Sequence, residues 1–263
     1  MMSDYGSYDV PGSHVKLSYE DDIRAEVEWI IAAIHAGTMA RDQIPQSLVD
    51  LVFKQLDQAV TTGYGKGLTR EIDRGTVKAL RSNAFSFSAA KEFNFIRDAF
   101  DNLVDDKDVI KPFNVFRDEV LAIHEQYNVN WLRTEYNAAI GNSQMARKWN
   151  EFDDDVNIKF RAVLDARSRH KQYNGIILPK SHPAWDYLMP LLDWGCRCTV
   201  NAVRRGEITP DASLPKRTDF KPAFQFNPGK EKMVFSKTHP YWTSLSAAQR
   251  ENSQDNWGLK EPN

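Results

Sequence analysis

The sequence predicts an α+β protein: a mainly helical N-terminal part, a small β-containing domain and an extended C-terminal tail. Three features carry this. Residues 18 to about 150 repeat apolar side chains at helical spacing. Around residues 153–155 the pattern changes to the two-residue alternation of strands. Beyond about residue 207 the chain is rich in Pro, Asn, Lys and Ser, with Phe224, Phe226, Phe235, Tyr241 and Trp242 set singly among them. Helices followed by strands, rather than alternating with them, place the chain in the α+β class.

In order, residues 1–17 read as a flexible arm. Ser18, with Asp21 three positions on, has the spacing of a capping box, and Ile23, Val27, Ile30, Ile31 and Ile34 form the first stripe. Gly37 closes that helix. Pro45 is placed to open a second, with Leu48, Leu51, Val52, Leu56 and Val60 inward, ended by "TGYGKG" at 62–67. A shorter helix is expected over about 69–81. "NAFSFSAAKEF" then reads as a turn into another helix carrying Ala89, Phe93, Ile96, Phe100 and Leu103. "DDKD" at 105–108 is a loop. A long helical pattern begins near 112 with Phe113, Phe116, Val120, Ile123 and Tyr127, and runs on to Trp149. Packing between helices accounts for all these stripes. "NIKFRAVLD", "GIILP" at 175–179 and "CRCTVNAV" read as three short strands. In the last, Cys196, Cys198, Val200 and Ala202 share one face, and Arg197, Thr199, Asn201 and Val203 the other.

Composition narrows function by exclusion. Hydrophobic residues are 41% and charged residues 27% of the chain, which fits a soluble globular protein able to bury its own core. A formal charge of −2 argues against whole-chain nucleic-acid binding, so DNA contact would need a local basic patch. The opening "MMSDYGSYDVPGSH" lacks a basic segment and an apolar core, so no secretory leader is expected. No apolar run approaches the roughly 18 residues needed to span a bilayer. A reducing cytosol follows as the expected setting, and there two cysteines read as thiols or ligands rather than as a disulfide.

Those two cysteines stand as C-x-C in "DWGCRC". On a strand they face the same way, so they could share a zinc ion with His170, His182 or Asp165. C-x-C is tighter than the usual spacing and has no second pair, so buried thiols packing as small apolar groups is the preferred reading, with no metal bound. "DARSRH" offers Asp165, Arg167, Arg169 and His170. As the site of a small hydrolase, nuclease or transferase-like, toxin-like enzyme it would be a His base oriented by a carboxylate, with Arg to hold an anion and Glu135 converging on the same cleft. As a turn it closes the sheet by hydrogen bonds, and this reading is preferred. None of the strong catalytic signatures is present. Arg167, Arg169, Lys171, Arg204 and Arg205 could together contact a phosphate backbone, although acidic residues 151 and 153–155 lie beside them. In "RTEYN", Arg133 and Asn137 lie one turn apart while Glu135 points elsewhere.

Together these segments resemble a known family. "YNVNWLRTEYNAAIGNSQMARKW", "LDARSRH", "NGIILP", "HPAWD" and "PLLDWGCRC" occur in the order found in the phage Mu F-like minor head proteins, also called head morphogenesis proteins. The helical segments upstream resemble members from Bacteroidetes phages and prophages. The resemblance covers roughly residues 80–205. It maps Arg133, Glu135 and Asn137 onto the helix motif, Asp165, Arg167 and His170 onto the turn motif, and Gly175 onto the following glycine. Trp185 and Pro190 match the loop; Trp194, Cys196, Arg197 and Cys198 match the closing phrase. Leu191 stands where a second proline is common, and the family's cysteine pair at the turn is absent.

The resemblance implies a structural component of the virion head and not an enzyme. Its partners would be portal and capsid proteins, with double-stranded DNA a further non-specific candidate, no cofactor and no membrane. It would reside in the phage head, and in the host cytoplasm during assembly. The implied organisation is an arm at 1–17, a helical region at 18–110, a Mu F-like domain at 111–206 and a tail at 207–263.

Overall fold

A computed structural model describes residues 18–163 and 168–262. The arm expected at 1–17 lies outside the described residues, as do Leu164, Asp165, Ala166 and Arg167. The architecture is α+β, mostly helical with one three-stranded antiparallel sheet. No helix among the described residues is long and apolar enough to cross a membrane. The chain divides into two compact units that interleave along the sequence.

The first unit comprises residues 18–55, 85–134 and 244–262. Helix α1 (Ser18–His35) buries the predicted Ile23, Val27, Ile30, Ile31 and Ile34. It packs against α4 (Phe113–His124), whose inner face is Phe116, Val120 and His124. Arg117 on α4 clamps Glu28 on α1 with two bonds of 2.6 and 2.8 Å, a fork-to-fork pairing that fixes the register. The residues at 105–108 form the expected loop, where the Asp105 carboxylate accepts the N–H groups of Lys107 and Val109.

Helix α3 (Glu71–Asp101) corrects the sequence reading, because it is continuous across "NAFSFS". Every residue from Ala84 to Ile96 except Ser86 is buried. A helix covered on all sides has no stripe, so periodicity could not reveal it. The long helix after 112 contains a further feature without a sequence signature. Residues Glu125–Trp131 form a π-helical segment between α4 and α5 (Leu132–Glu151). The wider turn opens the Tyr127 carbonyl, which accepts both Leu132 N–H and, at 2.6 Å, the fully buried Lys91 ammonium.

The second unit comprises residues 56–84, 135–163 and 168–243. Here the last turns of α2 (Gln46–Tyr64) meet α5 at very short range, for a Cβ on Gly63 would lie 2.3 Å from the Ile140 carbonyl oxygen. Strands β1 (Asn157–Arg161), β2 (Ile177–Pro179) and β3 (Thr199–Val203) form the sheet in the order β2–β1–β3. In β1, Ile158 and Phe160 point inward, as alternation requires. All three strands are shorter than predicted, and Cys196, Arg197 and Cys198 precede β3 rather than belonging to it.

The segment beyond 207 is not merely extended. It makes short helical turns whose aromatics Phe220, Phe224, Phe226, Phe235, Tyr241 and Trp242 are all buried in this unit. Side-chain amides stitch it down. Asn142 donates to the Val234 carbonyl at 2.8 Å, and Asn83 accepts from the N–H groups of Val234 and Phe235. Backbone with little regular pairing is satisfied by side chains instead.

Candidate functional site

Most motif residues fall in the second unit, and what each does differs. Arg133 belongs to the first unit, where it pairs with Glu20 at 3.3 Å. Two residues on, Glu135 is fully buried in the second unit and accepts the Tyr241 hydroxyl at 2.8 Å. Asn137 is exposed. So Glu135 does point away from its two motif neighbours, and its carboxylate is engaged with the C-terminal segment.

The turn after β1 leads into a short helix, α6 (Ser168–Lys171), that carries His170 inward. Gly175 follows at φ +96°, a conformation that L side chains avoid, and its N–H bonds the Phe160 carbonyl at 3.0 Å. Asn174 accepts the Ala162 N–H, so two bonds hold the turn against the end of β1. Trp185 is fully buried and donates its indole N–H to Pro179 at 3.0 Å. Pro190 is buried too.

The phrase "DWGCRC" forms the wall opposite α6. Trp194 is buried edge-on against Phe224 and His239. Gly195 takes φ +68°, which redirects the chain so that Cys196 and Cys198 turn inward while Arg197 faces out. The result brings together three residues from two segments. A nitrogen of His170 and the sulfurs of Cys196 and Cys198 all lie within 4.8 Å of one another. Their exposures are 4, 7 and 3%, so the donors are out of bulk water. Hydrogen bonding from Cys198, and then from His170, lowers the Cys196 thiol below the usual range despite its burial. The hydrogen bond with Cys196 and then burial push Cys198 the other way, and a second thiolate beside the first is opposed as well. The cysteines are therefore buried as expected, but in a polar cluster. His182 does not join them; it contacts Asp211 at 3.1 Å.

Asp193 is the residue that the sequence reading missed. It is 2% exposed, and its carboxylate pairs with Arg169 and, at 3.7 Å, with Lys221. Its place directly before "WGCRC" was the available signal. This pairing occupies Arg169, one of the candidate DNA contacts, whereas Lys171, Arg204 and Arg205 are exposed. Arg167 and Asp165 fall outside the described residues. Beside the closing phrase lies a cleft of about 420 Å³, lined among others by Arg147, Lys148, Glu151, Arg197 and Cys198. Lys148 reaches across it to Thr199 Oγ1 at 2.6 Å and the Val200 carbonyl at 3.1 Å.

Comparison with known proteins gives a partial similarity. No protein-family model matches the chain, and no solved structure matches it. The chain is 34% identical over 74 residues to the "Mu-like prophage FluMu F protein" of Haemophilus influenzae. That stretch is 27% of this chain and spans only 18% of the relative's length. Over about a quarter of its length, then, the chain is similar to a Mu-like prophage F protein.

Proposed function

We propose that this protein is a minor head protein of the Mu F-like, head-morphogenesis type from a Bacteroidetes phage or prophage. It binds portal or capsid protein in the virion, works in the host cytoplasm during assembly and acts without catalysis. The observation that carries the reading is the joint presence of the ordered motif set and the 34% identity to a Mu-like prophage F protein. The fold is compatible: "RTEYN", the His170 turn and "WGCRC" each hold structural positions, with Glu135 tied to Tyr241 and Trp194 to Phe224. Lys171, Arg204 and Arg205 are exposed cations suited to non-specific phosphate contacts during packaging or ejection.

Co-expression with the portal and capsid genes of the same phage tests this. The protein should sediment with procapsids and be retained through gradient purification. Recovery only as a free chain, with particles assembling without it at normal yield and shape, refutes the reading.

A further inference from the structure

We propose that His170, Cys196 and Cys198 bind a zinc ion that fastens the α6 turn to the segment entering β3. The donor set is soft and borderline, two thiolates and an imidazole, which is the chemistry zinc selects among the common divalent ions. The three donor atoms already lie within 4.8 Å of one another. Tetrahedral zinc with bonds of about 2.0–2.3 Å sets its donors about 3.5–3.8 Å apart. Closing the cluster around an ion therefore needs side-chain shifts of about an ångström, with no rearrangement of the backbone.

Charge balance favours the site. Zinc holds both sulfurs as thiolates, with any proton they still carry going to solvent, while the imidazole contributes a ring-nitrogen lone pair. Zn²⁺ with two thiolates carries no net charge, so the buried pocket need not hold an uncompensated ion. The fourth position falls to a water. Cys198 also lines the open cleft, which gives an ion a path from solvent.

The arrangement arises from positions far apart in sequence. His170 is delivered by a helix of one turn, and the cysteines by the redirection of the chain at Gly195. Neither segment has long strand pairing of its own to fix it, so a shared ion would supply the missing cross-link. This goes beyond the head-protein reading and does not depend on it.

The test uses the full chain, purified under a thiol reductant without chelator and without a histidine tag. Elemental analysis should find about one equivalent of zinc. Replacing zinc with cobalt should give the near-ultraviolet sulfur-to-cobalt charge-transfer band and the strong visible bands of a tetrahedral thiolate site. C196S/C198S should lower bound zinc to below about a tenth of an equivalent, and H170A should weaken retention against a chelator at least about tenfold. Zinc added to stripped wild-type protein should raise Tm by about 5 °C or more. Stripped, folded wild-type protein that keeps less than about a tenth of an equivalent after zinc addition and desalting overturns the proposal. So does cobalt-loaded protein without the thiolate band. That last readout needs no variant, so a C196S/C198S chain that fails to fold leaves the proposal refutable.

Discussion

His124 makes the first unit sensitive to acid by a calculable amount. It ends α4, is 3% exposed, and lies near Phe95 at a ring distance of 6.5 Å. Burial, reinforced by the positive charges of Arg24 and Lys91, lowers its pKa from 6.5 to about 4. Above pH 6.5 the ring is neutral in both the folded and unfolded chains, and no cost arises. Between pH 6.5 and 4 the unfolded chain takes up a proton that the folded chain refuses, so stability falls as pH falls. At about 1.4 kcal/mol for each tenfold change in proton affinity, the loss reaches about 3 kcal/mol near pH 4. Other groups titrate over the same range, so the informative quantity is the difference between wild type and His124→Leu. Urea unfolding at pH 7, 6, 5 and 4 should show that difference moving by about 3 kcal/mol in favour of the variant as the pH falls. An NMR titration should place the imidazole pKa near 4 without any assumption about unfolding cooperativity. A wild-type-to-variant difference constant within about 0.5 kcal/mol, or an imidazole that titrates near 6.5, would falsify the reasoning.

Two further predictions concern the second unit. Gly63→Ala would drive a methyl into the Ile140 backbone, which cannot rotate away as a side chain would. A loss of about 3 kcal/mol in chemical unfolding is expected, and a loss under about 1 kcal/mol would show that α2 and α5 separate easily. Tyr241→Phe removes the hydroxyl donated to the buried Glu135 carboxylate and should cost about 2 kcal/mol. Limited proteolysis should then cut near residues 236–243 sooner than in wild type, whereas an unchanged cleavage pattern would mean that this bond does not hold the segment down.

The legible parts of the fold were those where one face is wet and the other dry. The α1 stripe and the alternation of Ile158 and Phe160 were readable because solvent imposes a pattern on half-buried elements. The centre of α3 carries a turn signal because its Asn and Ser residues resemble turn formers, and burial on all sides leaves no stripe to oppose it. The π-helical segment left no trace either. Its Tyr127 carbonyl meets the buried ammonium of Lys91, a partner distant in sequence.

The candidate site divides in the same way. Local sequence was enough to pick out "DWGCRC", to place both cysteines on one side of the chain and Arg197 on the other, and to name His170 among possible companions. It could not choose His170 over His182, because that choice depends on the turn geometry at α6 and Gly175 and on the path set by Gly195. Nor could it assign Asp193 to Arg169 and Lys221, or Glu135 to Tyr241, since each pair joins segments whose separation along the chain says nothing about distance. The sequence alone determined the α+β class, the helical stripes and the motif phrases, because backbone propensity and solvent contrast act over a few residues. Only the tertiary structure decided which buried polar groups meet, because burial obliges each to find a partner wherever the chain brings one within reach.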